Sequence, residues 1–149
     1  MIDGVVIKRL VRHDDERGFF MEILRDDDDM LRRFGQTSYT VSQPGVIKAF
    51  HWHRRQDDLW FIAAGTALIG LYDLRDNSPT RGETQSLTAG EEEPLLLLIP
   101  AGVAHGYKVL GDRQVALFYH TTESYDSNDP DEGRIPHDDP SIGFDWNVR

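Results

Sequence analysis

Short apolar and β-branched segments alternate with clusters of turn-forming residues along most of the chain, and this rhythm constrains the fold more than any other feature. Strand character recurs at Val5–Leu10, Gly18–Leu24, Thr37–Val41, Val46–His53, Leu59–Ala63, Ala67–Leu74, Gln85–Leu87, Leu95–Ile99, Tyr107–Val109 and Gln114–His120. Between them lie Gln43-Pro44-Gly45, Ala64-Gly65-Thr66, Asp76-Asn77-Ser78-Pro79, Pro100-Ala101-Gly102 and Gly111-Asp112. Gly, Pro, Asn and Asp at those places favour the backbone angles that end one strand and start the next. Many short strands with almost no helical periodicity predict an all-β sandwich or barrel. One short helix is expected over Asp27–Phe34, opening on the acidic run Asp26–Asp29, with Met30, Leu31 and Phe34 as its buried side.

Composition narrows the class of protein. At 149 residues, with 39% hydrophobic and 28% charged residues, residues 1–149 suit one globular domain with a real core. The longest apolar run, Leu95–Ile99, is strand-sized and far short of the ~18 residues that span a membrane. The opening MIDGVVIKRL carries Asp3 and no long apolar stretch, so it does not read as a secretory signal. Absence of cysteine excludes disulfides and thiol chemistry, and a cytoplasmic location is expected. A net charge of −10 argues against a nucleic-acid partner, although one or two local arginines or lysines suffice to hold a diphosphate. The tail Ser124–Arg149 is rich in Asp, Pro and Ser, and its Ile142, Phe144 and Trp146 are expected to pin it onto the body.

Three histidines carry the chemical signal. His51 and His53, in GVIKAFHWH, fall on one face of a strand, because strand side chains alternate with a period of two. His105, in IPAGVAHGY, follows a Pro-x-Gly turn and can close a pocket over that face. Such a cluster binds a metal, or one neutral ring in it takes a proton from a substrate.

The two histidine contexts resemble the paired motifs of a cupin, a double-stranded β-helix or jelly roll. The first runs Gly45, five residues, His51-Trp52-His53, four residues, Asp58, six residues, Gly65; the second is Pro100-Ala101-Gly102-Val103-Ala104-His105. In many cupins the acidic position joins the histidines as a ligand. This likeness implies His51, His53, Asp58 and His105 as ligands for a divalent Zn, Ni, Mn or Fe ion.

A second resemblance covers nearly the whole chain. DDERGFFMEIL (14–24), FGQTSYTVSQPGVIKAFHWH (34–53), LYDLRDNSPTRGE (71–83), IPAGVAHGYKVL (99–110), ALFYHTTESY (116–125) and DDPSIGFDW (138–146) resemble, in order, the dTDP-4-dehydrorhamnose 3,5-epimerase family. That resemblance implies a cupin-type jelly roll, a homodimer, no cofactor, and proton transfer beside the keto group of a nucleotide-linked 4-keto-6-deoxy sugar. It implies His51 as base and Tyr119 as the acid that returns the proton. Tyr125, His105 and Gln36 would line the pocket, and Arg17 and Glu22 would hold the nucleotide end. Lys48 stands where the family usually has Arg, keeping the charge and losing the bidentate fork. Together with Arg17 and Arg54 it would face the diphosphate, with an aromatic ring stacked on the base.

Departures from the family fall near the chemistry. Ser38 stands in place of Asn, and Asp58 stands in place of the lysine that stabilises the enolate. The Asp that orients the catalytic histidine in the family comes from a longer tail and has no target in the three residues after Trp146. The HWHRRQDD stretch also resembles the nucleotide-sugar 3,4-ketoisomerases, in which His53 would be a second acid/base group beside His51. A non-catalytic sugar-binding cupin is a third expectation that the fold leaves open.

Overall fold

The computed structural model describes residues 1–147. Its strands are β1 (Val6–Arg9), β2 (His13–Asp15), β3 (Gly18–Phe20), β4 (Gln36–Ser42), β5 (Ile47–Trp52), β6 (Asp58–Ala64), β7 (Thr66–Asp73), β8 (Thr84–Gly90), β9 (Leu95–Ile99), β10 (Val103–Leu110), β11 (Val115–Thr121) and β12 (Gly133–Arg134). Two five-stranded antiparallel sheets form, in the orders β1-β9-β6-β11-β4 and β12-β5-β10-β7-β8. Their inner faces meet in a core that includes Trp60, Ile62, Leu97 and Leu117 from the first sheet and Ile69, Leu71, Val103 and Val109 from the second. This is the jelly-roll architecture of the cupins, as the resemblance implied.

The unbroken apolar runs of β6 and β9 do not alternate, because these strands are buried on both faces. Leu95, Leu97 and Ile99 enter the central core. Leu59 and Leu96, with Phe61 and Leu98 beside them, pack outward against Leu10, Met21, Ile23, Leu24 and Met30. The tail does the same for the second sheet: Ile142 and Trp146 are buried against Phe50, Leu68 and Ala104. Phe144 packs over Gly70, where a Cβ would lie 2.7 Å from its ring, so the expected pinning of the tail holds.

The helix expected over Asp27–Phe34 does not form. Asp26–Asp28 make a single 3-10 turn, and Asp29 at φ 54° ends it in the left-handed region. Asp side chains compete for local backbone groups and so favour turns over helix interiors. Here the Asp28 carboxylate accepts the Arg25 backbone N–H and pairs with Lys8 at 2.6 Å. Met30 is buried as expected, but Phe34 is exposed. The strand expected over Gly18–Leu24 is only Gly18–Phe20, paired with β2 in a two-stranded hairpin whose residues are all exposed. Beyond Phe20 the chain leaves the hairpin so that Met21, Ile23 and Leu24 reach their hydrophobic cluster.

One irregularity positions the site. Opposite β5, His105 pairs with His51 and Tyr107 pairs with Lys48, so three steps on β5 match two on β10. The extra residue is a bulge, and the Ala49–Phe50 peptide inside it is cis. Strict alternation puts Lys48 and His51 on opposite faces, and the bulge returns both to the inner face. Gly106 makes room for it: a Cβ there would lie 2.2 Å from the Ala49 Cβ and 2.5 Å from the Lys48 carbonyl oxygen.

Candidate active site

Between the sheets opens a cavity of about 550 Å³ lined by His51, His53 and Lys48 from the β5 region, His105 and Tyr107 from β10, and Leu117, Tyr119 and Thr121 from β11. The β11 residues alternate, so Leu117, Tyr119 and Thr121 face inward while Phe118 is exposed on the outside. His51 and Tyr119 therefore reach one space from opposite sheets.

Glu132 is a cavity-lining side chain that the sequence did not reveal. Its Oε1 accepts a hydrogen bond from His51 Nδ1 at 2.8 Å. A carboxylate only accepts, so the His51 proton sits on Nδ1 and Nε2 is left bare, the tautomer a general base needs. Burial lowers His51 below the ordinary imidazole value and outweighs the opposite pull of Glu132, which keeps the ring neutral near neutral pH. Glu132 reaches this place because its segment crosses the cavity rim. β12 pairs with β5 at Trp52 and His51, and the Asp131 carboxylate accepts the backbone N–H groups of Arg54, Arg55 and Gln56. A carboxylate beside His51 thus exists, supplied by Glu132 within the tail and before Trp146. Its only sequence trace was a pair of acids inside a stretch of many.

Of the other expected residues, Gln36 and Tyr125 line the cavity and are joined, the Gln36 Oε1 accepting the Tyr125 backbone N–H at 2.7 Å. Lys48 lines it too, its Nζ donating to Thr40 Oγ1 at 3.3 Å. Arg17 and Glu22 do not: Arg17 pairs with Asp15 and Glu22 with Arg25 on the exposed surface. Arg54 also lies outside the lining; its neighbour Arg55 and Arg33 take that place, side chains the sequence reading passed over.

The expected four-residue metal set is brought together in part. Ligand atoms of His53, Asp58 and His105 lie within 4.8 Å of one another, whereas His51 is outside that group and bound to Glu132. Asp58 opens β6 in the opposite sheet and is 3% exposed, accepting from Gln56 Nε2 at 2.8 Å and Trp60 Nε1 at 3.2 Å. His53 donates from Nδ1 to the Asp131 carbonyl, and its Nε2 faces Gln56 and Asp58. Both of its nitrogens are therefore engaged away from His51.

A jelly roll with a carboxylate-paired histidine and a tyrosine lining one cavity from opposite sheets is a scaffold suited to proton transfer at carbon, and comparison with known proteins agrees. The sequence model of the dTDP-4-dehydrorhamnose 3,5-epimerase family matches residues 1–149. The chain belongs to the dTDP-4-dehydrorhamnose 3,5-epimerase family and is an enzyme of the epimerase/isomerase type. It is 58% identical over 148 residues to the spore coat polysaccharide biosynthesis protein SpsL of Bacillus subtilis (strain 168), covering 99% of this chain and 98% of that one. It is 38% identical to the probable low-salt glycan biosynthesis epimerase Agl13 of Haloferax volcanii, covering 99% and 96%. Among solved structures, the epimerase RmlC of Legionella pneumophila, in complex with dTDP-4-keto-L-rhamnose, superposes with a TM-score of 0.88 at 30% identity, covering 99% of this chain and 81% of that one. Among the described residues no helix is long and apolar enough to cross a membrane.

Proposed function

We propose that this protein epimerises a dTDP-linked 4-keto-6-deoxyhexose by moving protons at carbon next to the keto group. The observation that carries this reading is the His51–Glu132 pair facing Tyr119 across one cavity. His51 Nε2 removes the proton alpha to the carbonyl, and the C–H electron pair moves into an enolate. The Tyr119 hydroxyl then donates its proton to the same carbon from the opposite face, because the two residues approach from opposite sheets. Exchange with water reprotonates the tyrosine oxygen and clears the proton from His51. Glu132 stabilises the positive imidazole formed in the first step.

Lys48 and Arg55 are the cations we assign to the diphosphate, and the exposed Tyr125 ring at the cavity is positioned to stack on the base. His53 Nδ1 is tied to the Asp131 carbonyl and its Nε2 faces Asp58 and not the space beside His51, which favours epimerisation over the 3,4-keto shift.

We infer a homodimer. The β2–β3 hairpin exposes Phe19 (58%) and Phe20 (63%), and an isolated two-stranded hairpin is marginal in water. Arg17 and Glu22 lie outside their own protomer's cavity, so a second copy is what lets them meet a bound nucleotide.

Incubation of a dTDP-4-keto-6-deoxyhexose with the protein in heavy water tests the reading. Deuterium is expected in the sugar ring beside the keto carbon. Tyr119→Phe is expected to keep exchange and lose the inverted product. A folded protein that exchanges no ring hydrogen would remove the proposal.

A further inference from the structure

Position 58, where the family resemblance puts a lysine, carries a buried aspartate aimed at two histidines. His105 donates from Nδ1 to the Val103 carbonyl at 2.9 Å, and His53 donates from Nδ1 to the Asp131 carbonyl. A carbonyl only accepts, so each neutral ring keeps its proton on Nδ1 and presents a bare Nε2. Those two atoms face the same carboxylate, His105 Nε2 at 3.5 Å from Asp58 Oδ2 and His53 Nε2 at 3.7 Å from Oδ1. Lone pairs facing a carboxylate repel it, and a positive charge between them relieves that repulsion. One proton shared by His105 and Asp58 leaves His53 Nε2 with only the Gln56 amide at 3.4 Å, whereas one divalent cation satisfies all three groups.

The spacing fits such an ion. Metal–nitrogen and metal–oxygen bonds of about 2.0–2.2 Å put neighbouring ligand atoms roughly 3.0–3.6 Å apart at octahedral to tetrahedral angles. His105 and His53 meet different oxygens of Asp58, at 3.5 and 3.7 Å, and the ligand atoms of the trio all lie within 4.8 Å of one another, so binding needs a side-chain closure of up to roughly 1 Å. Anchoring of both Nδ1–H groups on backbone carbonyls fixes the rings with Nε2 forward, as ligand histidines are commonly held. His53 and His105 line the cavity and Asp58 lies behind them, so the remaining coordination positions open toward the substrate space.

We propose that His53, Asp58 and His105 form a binding site for a divalent first-row transition-metal ion at the floor of the cavity. Two imidazoles and one carboxylate suit zinc, manganese, iron or nickel. When bound, such an ion supplies Lewis-acid polarisation of an oxygen in the cavity, the electrostatic role of the absent lysine. That consequence rests on the proton-transfer reading; the binding itself does not.

Protein stripped by a chelator and titrated with Co²⁺, followed by visible d–d absorption, and with Zn²⁺, followed by calorimetry, tests the site without substrate. One ion per chain is expected. His53→Gln and Asp58→Asn are each expected to weaken binding by at least about 100-fold, with circular dichroism confirming the fold. Glu132→Gln is expected to leave affinity within about threefold, because its carboxylate lies outside the trio. Absence of saturable binding to the wild-type chain would overturn the site, as would binding unchanged in both ligand variants. A loss in Glu132→Gln equal to theirs would move the ion to His51 and also overturn it. Since deuterium exchange is measured separately, failure of the metal site and failure of the epimerase reading give different results.

Discussion

Replacing Glu132 by Gln isolates the electrostatic part of its contact with His51. The amide oxygen still accepts the Nδ1–H across the 2.8 Å contact, so the ring keeps its tautomer and only the charge is lost. A hydrogen bond to a charged group contributes about 1.5–3 kcal/mol and a neutral one about 0.5–1.5, a difference of roughly 1–2 kcal/mol. That difference appears when His51 becomes positive, so it acts on the transition state and predicts a fall in kcat of about 5- to 30-fold. The side chains of His51 and Glu132 are 35% and 31% exposed. Water therefore screens the pair, which places the expected loss in the lower half of that range. Initial rates of deuterium incorporation into a dTDP-4-keto-6-deoxyhexose measure it, with KM expected to stay unchanged. In the double variant, Glu132→Gln should cost nothing further once His51→Ala has removed the base. A kcat within about twofold of wild type, or a full additional loss on top of His51→Ala, would refute the coupling.

Other consequences follow from the packing. Gly106→Ala forces a Cβ to within 2.2 Å of the Ala49 Cβ, and the expected overpacking cost of about 2–3 kcal/mol lowers Tm by roughly 4–12 °C in calorimetry. The Asp73 carboxylate is fully buried, accepting from Arg75, Ser78 and Thr80, and Asp73→Asn is expected to cost about 3 kcal/mol at neutral pH by chemical denaturation. Burial pushes that carboxyl up, but its donors outweigh burial and hold it well below the usual range. A depressed carboxyl contributes stability above its unfolded pKa of about 3.9 and loses it as pH falls toward the folded value, so wild type and variant should converge in acid. If the proposed homodimer forms through the exposed hairpin, Phe19→Asp is expected to shift it toward monomer in sedimentation and to raise KM, and an unchanged sedimentation coefficient would count against the hairpin as an interface.

By itself the sequence determined an all-β sandwich or barrel and, through the family resemblance, the jelly roll and part of the cavity lining. Strand lengths, turn residues and two-residue alternation are local properties, and His51, His53, His105 and Tyr119 reach the cavity through them. The acidic run misled the helix expectation because Asp28 found its partners in Arg25 and Lys8, one of them 20 residues away. Lys48 shows the limit of periodicity: alternation turns it away from His51, and only the bulge opposite Gly106 brings it back. Glu132 lies 81 residues from His51 and Asp58 belongs to the facing sheet, so their contacts depend on which strands pair and which sheets stack. Tertiary structure therefore decided that Glu132 meets His51 and that Asp58 turns to His53 and His105. The physical reason is that a carboxylate is assigned by the donor it meets in space, and chain spacing carries no information about a donor on another strand.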